Sequence, residues 1–151
     1  MSDKSKSKMK KTNLDPVVVI AGLPVDERED MRTLDVEIAG VMDGTETSVY
    51  KGKFWGGSHQ EIIGYGSQTY QRSDKKDVEW FVIGLARQKD YISIYINVVE
   101  DGEYLSEKYG ADLGKVKVGK SSISFATVED IDLDKLRLLL IKARNLAAGA
   151  S

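Results

Sequence analysis

The sequence predicts an α+β domain: an antiparallel sheet of about four to five strands, with N- and C-terminal helices packed on one face. Three observations carry this. Residues 91–98 alternate, with Ile92, Ile94, Ile96 and Val98 on one side and Tyr91, Ser93, Tyr95 and Asn97 on the other, which is the period of a half-buried strand. Short polar connections, 73–77 and 88–90, join the neighbouring strand-like runs, as between adjacent antiparallel strands. At the two ends the period changes. Met31, Leu34, Ile38 and Val41, and later Leu133, Leu136, Leu139, Leu140, Ala143 and Leu146, fall at helical spacing. Helices segregated to one face of an antiparallel sheet define the class.

The elements follow in order. Residues 1–13 are basic and of low complexity, with Lys4, Lys6, Lys8, Lys10 and Lys11 among Ser and Met, and are expected to be a disordered tail. Asp15-Pro16 is a cap followed by a first-position proline, so a short helix is expected over 16–21, although Val17 to Ile20 is β-branched. Pro24 opens a second helix over 25–41, with Asp26, Glu27, Glu29 and Asp30 in its first turns, where the helix dipole favours negative charge. Strands are expected over 47–55, 62–72, 78–86 and 91–98. The first is an edge strand that a second chain could pair with, so both a monomer and a homodimer are compatible with it. A short helix over 102–113 stops at Gly114. A later strand covers 121–126, and Asp132 caps the last helix over 133–147, with 148–151 as a tail. A single domain therefore spans 14–147.

Composition excludes several function classes. The chain has 151 residues, 30% of them charged, and a net charge of −2. A dedicated nucleic-acid binder carries a basic excess, so no nucleic-acid partner is expected. The chain contains no cysteine, which removes disulfides, thiolate metal sites and cysteine nucleophiles. No apolar run approaches the ~20 residues that span a bilayer, and no apolar segment follows the basic N-terminus. A cytoplasmic protein without a membrane partner is the expectation.

Gly114 to Ser121 satisfies the phosphate-loop pattern G-x-x-x-x-G-K-[ST]. That loop requires a strand before it and a helix after it, so that backbone N–H groups and the helix N-terminus face the phosphate. Here a helix precedes and the strand-like Ser121 to Phe125 follows, so the match reads as a helix-to-strand connection. Lys115, Lys117 and Lys120 could still hold an anion without hydrolysing it. His59 is the only histidine and falls in a Gly-Gly-Ser-His loop, where it reads as an exposed residue. Any transition-metal site would need carboxylates beside it.

The aromatics form a group. If Phe81, Ile83 and Leu85 face the helices with Ile92, Ile94 and Ile96, then Trp80 and Val82 share the opposite face with Tyr91 and Tyr95. One of Tyr65 and Tyr70 joins them. Such a face is either a groove or a second layer of core under 99–120. Gly64 and Gly66 mark a bulge or a close backbone approach that leaves room for another segment or a ligand.

Several segments resemble a known family. Trp55-Gly56, Gly64-Tyr65-Gly66 with Tyr70, the run Gly114-Lys115 to Gly119-Lys120-Ser121, and Asp130-Ile131-Asp132-Leu133 with Leu136 occur in the order found in the bacterial YdhG-like family of unknown function. The resemblance covers roughly 15–147. It implies an α+β domain in which the phosphate-loop look-alike is a structural turn. Some relatives are described as frataxin-like iron chaperones. The chain departs from the pattern in a longer 56–61 loop and in Val118, where threonine is common.

The functional expectation is a non-enzymatic binding module for a small anionic ligand or a protein partner, without a cofactor. Its candidate contacts are Trp55, His59, Tyr65, Tyr70, Trp80, Tyr95, Lys117 and Lys120. The alternative is iron held by the acidic helix through Asp26, Glu27, Asp30 and Glu37, although Arg28 and Arg32 interleave with these acids at helical spacing. A third reading is an enzyme using Lys, Tyr or carboxylate chemistry.

Overall fold

The computed structural model describes residues 10–53, 59–71 and 77–150. Two helices open the fold, α1 (Pro16–Ala21) and α2 (Val25–Val41). The Asp15 carboxylate accepts the Val17 N–H at 2.9 Å, so the cap overcomes the β preference of the valines. The strands β2 (Thr47–Lys53), β3 (His59–Tyr65), β6 (Ile83–Arg87) and β7 (Ile92–Ile96) form the meander. The last helix, α4 (Leu133–Ala150), starts where Asp132 accepts the N–H groups of Asp134 and Lys135 at 3.0 and 3.1 Å. It runs on through the residues expected to be a tail.

Among the described residues the main sheet has seven antiparallel strands in the order β1 (Lys10–Lys11), β2, β3, β6, β7, β11 (Ser122–Phe125) and β10 (Lys117–Val118), more than the four to five expected. The additional strands are the two outermost ones, β1 (Lys10–Lys11) and β10 (Lys117–Val118), each two residues long. Strand β1 comes from the segment expected to be disordered. It pairs Lys10 with Lys51 and Lys11 with Tyr50, and the Thr12 N–H extends the ladder to the Val49 carbonyl at 2.8 Å. The β2 edge expected to be open to a second chain is therefore occupied over Val49–Lys51. Both outer strands are short and carry lysine, which discourages edge-to-edge pairing. Among the described residues no helix is long and apolar enough to cross a membrane.

Helices α1, α2 and α4 cover one face. Leu34, Ile38, Leu136, Leu140 and Ala143 meet Val49, Ile63, Leu85, Ile94 and Ile96 in one core, all at most 1% exposed. The segment expected to be one helix over 102–113 is instead a small hairpin, β8 (Val99–Glu100) with β9 (Glu103–Tyr104), then helix α3 (Leu105–Tyr109) and a 3-10 turn over Gly110–Leu113. Asp101 and Gly102 both take positive φ, 54° and 82°, a backbone that a helix does not contain. Strand β11 (Ser122–Phe125) then pairs with β7.

The strand expected over 62–72 splits at Gly66, whose φ is 77°, and the one expected over 78–86 splits at Phe81-Val82. The pieces beyond the splits, β4 (Gln68–Gln71) and β5 (Asp77–Trp80), leave the main sheet and pair with each other. The Phe81 carbonyl is satisfied by side chains, accepting from Asn97 Nδ2 at 3.1 Å and Gln68 Nε2 at 3.4 Å. Across this break Val82 and Ile83 both enter the helix-side core, while Phe81 goes to the outer face. The alternation drawn through Trp80 to Leu85 thus slips by one residue, as at a β-bulge.

Phe81 fills a notch cut by two glycines. Gly64 and Gly84 are cross-strand partners, and neither has a side chain to point at the outer face. A Cβ on Gly84 would stand 2.5 Å from Phe81 Cε1, and one on Gly64 would stand 2.7 Å from Phe81 Cβ and 2.7 Å from Tyr50 Cε1. Gly84→Ala is expected to destabilise the fold by about 2–3 kcal/mol through overpacking. Gly40→Ala, on the exposed side of α2 with open space around it, should stabilise by about 0.5–1 kcal/mol. Urea unfolding of both variants checks the pair of outcomes.

Glu100 joins the β8–β9 hairpin to two helices. It accepts from Lys108 Nζ at 2.8 Å and Tyr109 Oη at 2.8 Å, and its other oxygen meets Lys142 Nζ at 2.9 Å. Hydrogen bonds from Lys108, then Lys142 and Tyr109, lower its pKa from 4.5 to about 2. A carboxylate depressed in the folded state contributes stability above its unfolded pKa and loses it as pH falls through the folded value. Stability should therefore decline between about pH 4.5 and pH 2. Glu100→Gln should reduce that decline, as followed by thermal unfolding across the window.

Candidate functional site

The outer face of the sheet divides into two halves. On the β2, β3 and β6 side, Tyr50, Ile62, Phe81 and Ala86 are buried together, with Trp80 and Tyr95 packed against them. The Trp80 and Phe81 ring centroids are 4.4 Å apart, and Tyr50 meets Phe81 edge-on at 5.3 Å. This half is a second core layer beneath Phe81 and Trp80, and not beneath 99–120. The aromatic rings fill the space that a ligand would need.

Tyr65 lies on the other side of the sheet. It is fully buried under the helices, and its hydroxyl donates to the Asp35 carboxylate at 2.5 Å. Burial first, then the Asp35 charge and hydrogen bond, hold the phenol well above its ordinary value of 10. Tyr65 thus closes the contact between α2 and β3 instead of facing a ligand. Val82, expected on the aromatic face, is likewise in the helix-side core. Trp55 lies outside the described residues, as do the side chains of His59 and Tyr70. The backbone of His59 is the first residue of β3, opposite Lys53, and not part of a loop.

On the β7, β11 and β10 side the character changes. One cross-strand row reads Ala86, Ser93, Ser124, Lys117, and the neighbouring row brings Tyr95 opposite Ser122. Serines leave the sheet low there, and the Ser93 and Ser124 hydroxyls lie 3.1 Å apart. The result is a groove of about 510 Å³ whose walls include Tyr91, Lys115, Lys117, Ser122, Ser124 and Asp130. Among the described residues Lys115 and Lys117 make no ion pair, and Tyr91 is 44% exposed. The Asp130 carboxylate in that wall accepts the Thr127 N–H at 3.3 Å.

Three amides of the 114–121 segment already donate to the protein's own carbonyls. The Lys115 N–H donates to the Asp130 carbonyl at 2.8 Å, the Val116 N–H to Gly114 at 3.0 Å and the Gly119 N–H to Ser122 at 2.8 Å. Amides already donated to protein acceptors cannot wrap a phosphate. A strand, β11, follows Lys120-Ser121 where the cradle needs a helix. Gly114, at φ 135°, forms a bridge with Ile131, so the segment is anchored at its start. At its far end the buried Ser106 hydroxyl donates to the Lys120 carbonyl at 2.8 Å. Lys117 is carried into the groove on β10; Lys120 stays in the turn, outside the groove lining.

The acidic residues of α2 are dispersed among separate partners. Glu27 lies 3.3 Å from Arg87 Nε, Asp30 accepts the Val128 N–H at 3.2 Å, and Glu37 pairs with Arg137 at 2.6 Å. Asp26 is exposed. Among the described residues no three His, Asp or Glu side chains gather into a group that could hold a metal ion.

No family model matches the chain, and neither a curated protein nor a solved structure matches it.

Of the expected contacts whose side chains are described, only Lys117 lines the groove, with Tyr95 on the neighbouring row. Ser122 and Ser124 are missing from the expectation, whereas Lys115 was expected as a possible anion contact and Tyr91 as part of the aromatic face, though neither was among the candidate contacts. Serines alternating with Ile123 and Phe125 were the available signal, since they mark the solvent side of β11. Tyr65→Phe should lower stability by about 1–3 kcal/mol through the lost Asp35 hydrogen bond, as read by urea unfolding.

Proposed function

We propose that the protein is a non-enzymatic binding module whose ligand is a small anion held in the outer-face groove. The observation that carries this is the pair Lys115 and Lys117, without an ion pair among the described residues, lining the same groove as Ser122 and Ser124, with Lys117 directly across the ladder from Ser124. Ammonium groups supply charge and hydroxyls supply directed hydrogen bonds, the combination that an oxyanion requires. Tyr91 offers a flat wall for a planar part of the ligand.

The positions of the other titratable groups agree with binding more than with catalysis. The two most displaced pKa values belong to Tyr65 and Glu100, and both groups are engaged in structural contacts away from the groove. The one histidine is on β3, which β6, β7 and β11 separate from β10. The YdhG-like resemblance is compatible with this reading, since it too makes the 114–121 segment structural.

Calorimetry with inorganic phosphate and pyrophosphate tests it. A charge-assisted hydrogen bond contributes about 1.5–3 kcal/mol, so Lys115→Ala combined with Lys117→Ala should weaken binding by at least about 10-fold. Lys120→Ala should change it by less than about 2-fold. All three lysines are exposed, so unfolding midpoints should not move. Equal affinity in the wild type and the double variant would show that the groove does not hold the anion.

A further inference from the structure

A second concavity lies on the opposite face, where the helical layer stops short of the sheet. Its floor is apolar, built from Val19 and Leu23 at the end of α1, Met31 of α2, and Ile63 and Leu85 of the sheet. Its volume is about 440 Å³, within the usual range of small-ligand clefts of about 300–1,000 Å³. Where the floor ends, the same sheet face carries Lys51, Glu61 and Arg87, with Lys89 in the turn beyond.

The charges there are incompletely matched. Lys51 is paired with Glu61 at 3.1 Å. Arg87 is only 15% exposed, and its Nε is buried without a hydrogen-bond partner. Its ion-pair partner among the described residues is Glu27, whose oxygen lies 3.3 Å from Nε without hydrogen-bond geometry. Lys89 makes no ion pair among the described residues. A buried donor left unbonded is expensive, about 1–3 kcal/mol, and a guanidinium offers a planar fork suited to a carboxylate.

We propose that this cleft binds an amphipathic carboxylate, a carboxyl group on a short unbranched apolar chain. Arg87 receives the carboxylate, Lys89 closes over it from the turn, and the chain lies on the half-buried Val19 and Leu23, directly above the buried Met31, Ile63 and Leu85. Charge complementarity selects the head: among the described residues the ion pairs of Lys51, Arg87 and Lys89 are those with Glu61 and the poorly aligned Glu27. Val19 and Leu23 select the tail, because a bare anion would leave their exposed apolar surface wet. Glu27 competes with the ligand for Arg87. The site is independent of the outer-face groove and stands or falls separately from it.

Octanoate is the probe, with acetate and inorganic phosphate as the arms lacking the chain. Methyl-resolved NMR titration of the full chain should show shifts at Leu23, Met31, Ile63 and Leu85 with octanoate, and affinity at least about 10-fold weaker for acetate and for phosphate at this site. Arg87→Met should weaken octanoate by about 10-fold or more, and Lys89→Ala by about 2–3-fold. Glu27→Gln should tighten it by about 3-fold, an effect that a purely structural Arg87–Glu27 pair would not produce. The Lys115/Lys117 double variant should bind octanoate as the wild type does. Where Arg87→Met does not fold, Lys89→Ala and Glu27→Gln carry the test. The proposal is overturned if octanoate shifts none of these methyls, if acetate or phosphate binds there as tightly, if the Arg87 and Lys89 variants bind unchanged, or if Glu27→Gln fails to tighten binding.

Discussion

The packing of Phe81 into the notch left by Gly64 and Gly84 is the constraint on which the rest of the structure depends. Two facing glycines on adjacent strands remove side-chain volume from one spot of the outer face. A ring from the next segment enters that spot, which requires the chain to leave the sheet just before β6. The break at Phe81-Val82, the separate β4–β5 hairpin and the one-residue slip in alternation all follow from it. Tyr50 and Trp80 then pack edge-on and tilted against the seated ring, and the aromatic half of the outer face becomes solid.

That packing decides where a ligand can go. With the aromatic half filled, open concavities remain at the serine-floored side of the outer face and at the exposed end of the helix-side face. Charge pairing sorts the same way in part, since Lys51 and Arg87 line the helix-side cleft although each has a carboxylate partner, and Lys120 has none among the described residues yet lies outside the groove. Lys108 and Lys142 are bound to Glu100, Arg137 to Glu37, and Arg144 donates to the Val41 and Asp43 carbonyls, so these cations hold elements together. Lys115, Lys117 and Lys89 have no such partner among the described residues, and each lines a concavity. Cations that are already paired gain little from an incoming anion; unpaired ones supply charge without breaking a contact.

Much of the fold was legible because local signals agreed with the tertiary outcome. Asp15 and Asp132 cap helices, the 3.6-residue spacing of Leu34, Ile38, Leu136 and Leu140 marks the core stripes, and Ile92 to Ile96 alternates as a strand. What stayed hidden is non-local. Periodicity carried through Trp80 to Leu85 has no means of showing that one residue is skipped, so Phe81 and Val82 exchanged faces and Tyr65 could not be placed. Lys10 and Lys11 have no intrinsic strand signal; the unpaired edge of β2 gives them their conformation. The candidate site was legible in part. The lysines of 114–121 stood out by composition, but only the register Lys117–Ser124–Ser93 shows which of them meets the serine floor. The phosphate-loop spacing is followed by a strand, and the amides of Lys115, Val116 and Gly119 donate to the protein's own carbonyls.

The most direct measurement is the environment of the two glycines in solution. Proton NMR of the full chain reports whether a ring sits over them, through nuclear Overhauser contacts and ring-current shifts. If Phe81 fills the notch, the Gly84 and Gly64 α-protons will show strong contacts to the Phe81 ring and lie well upfield of their ordinary positions. Glycine α-protons at ordinary shifts, with no contact to Phe81, would contradict the filled aromatic face and return that face to the list of possible ligand sites.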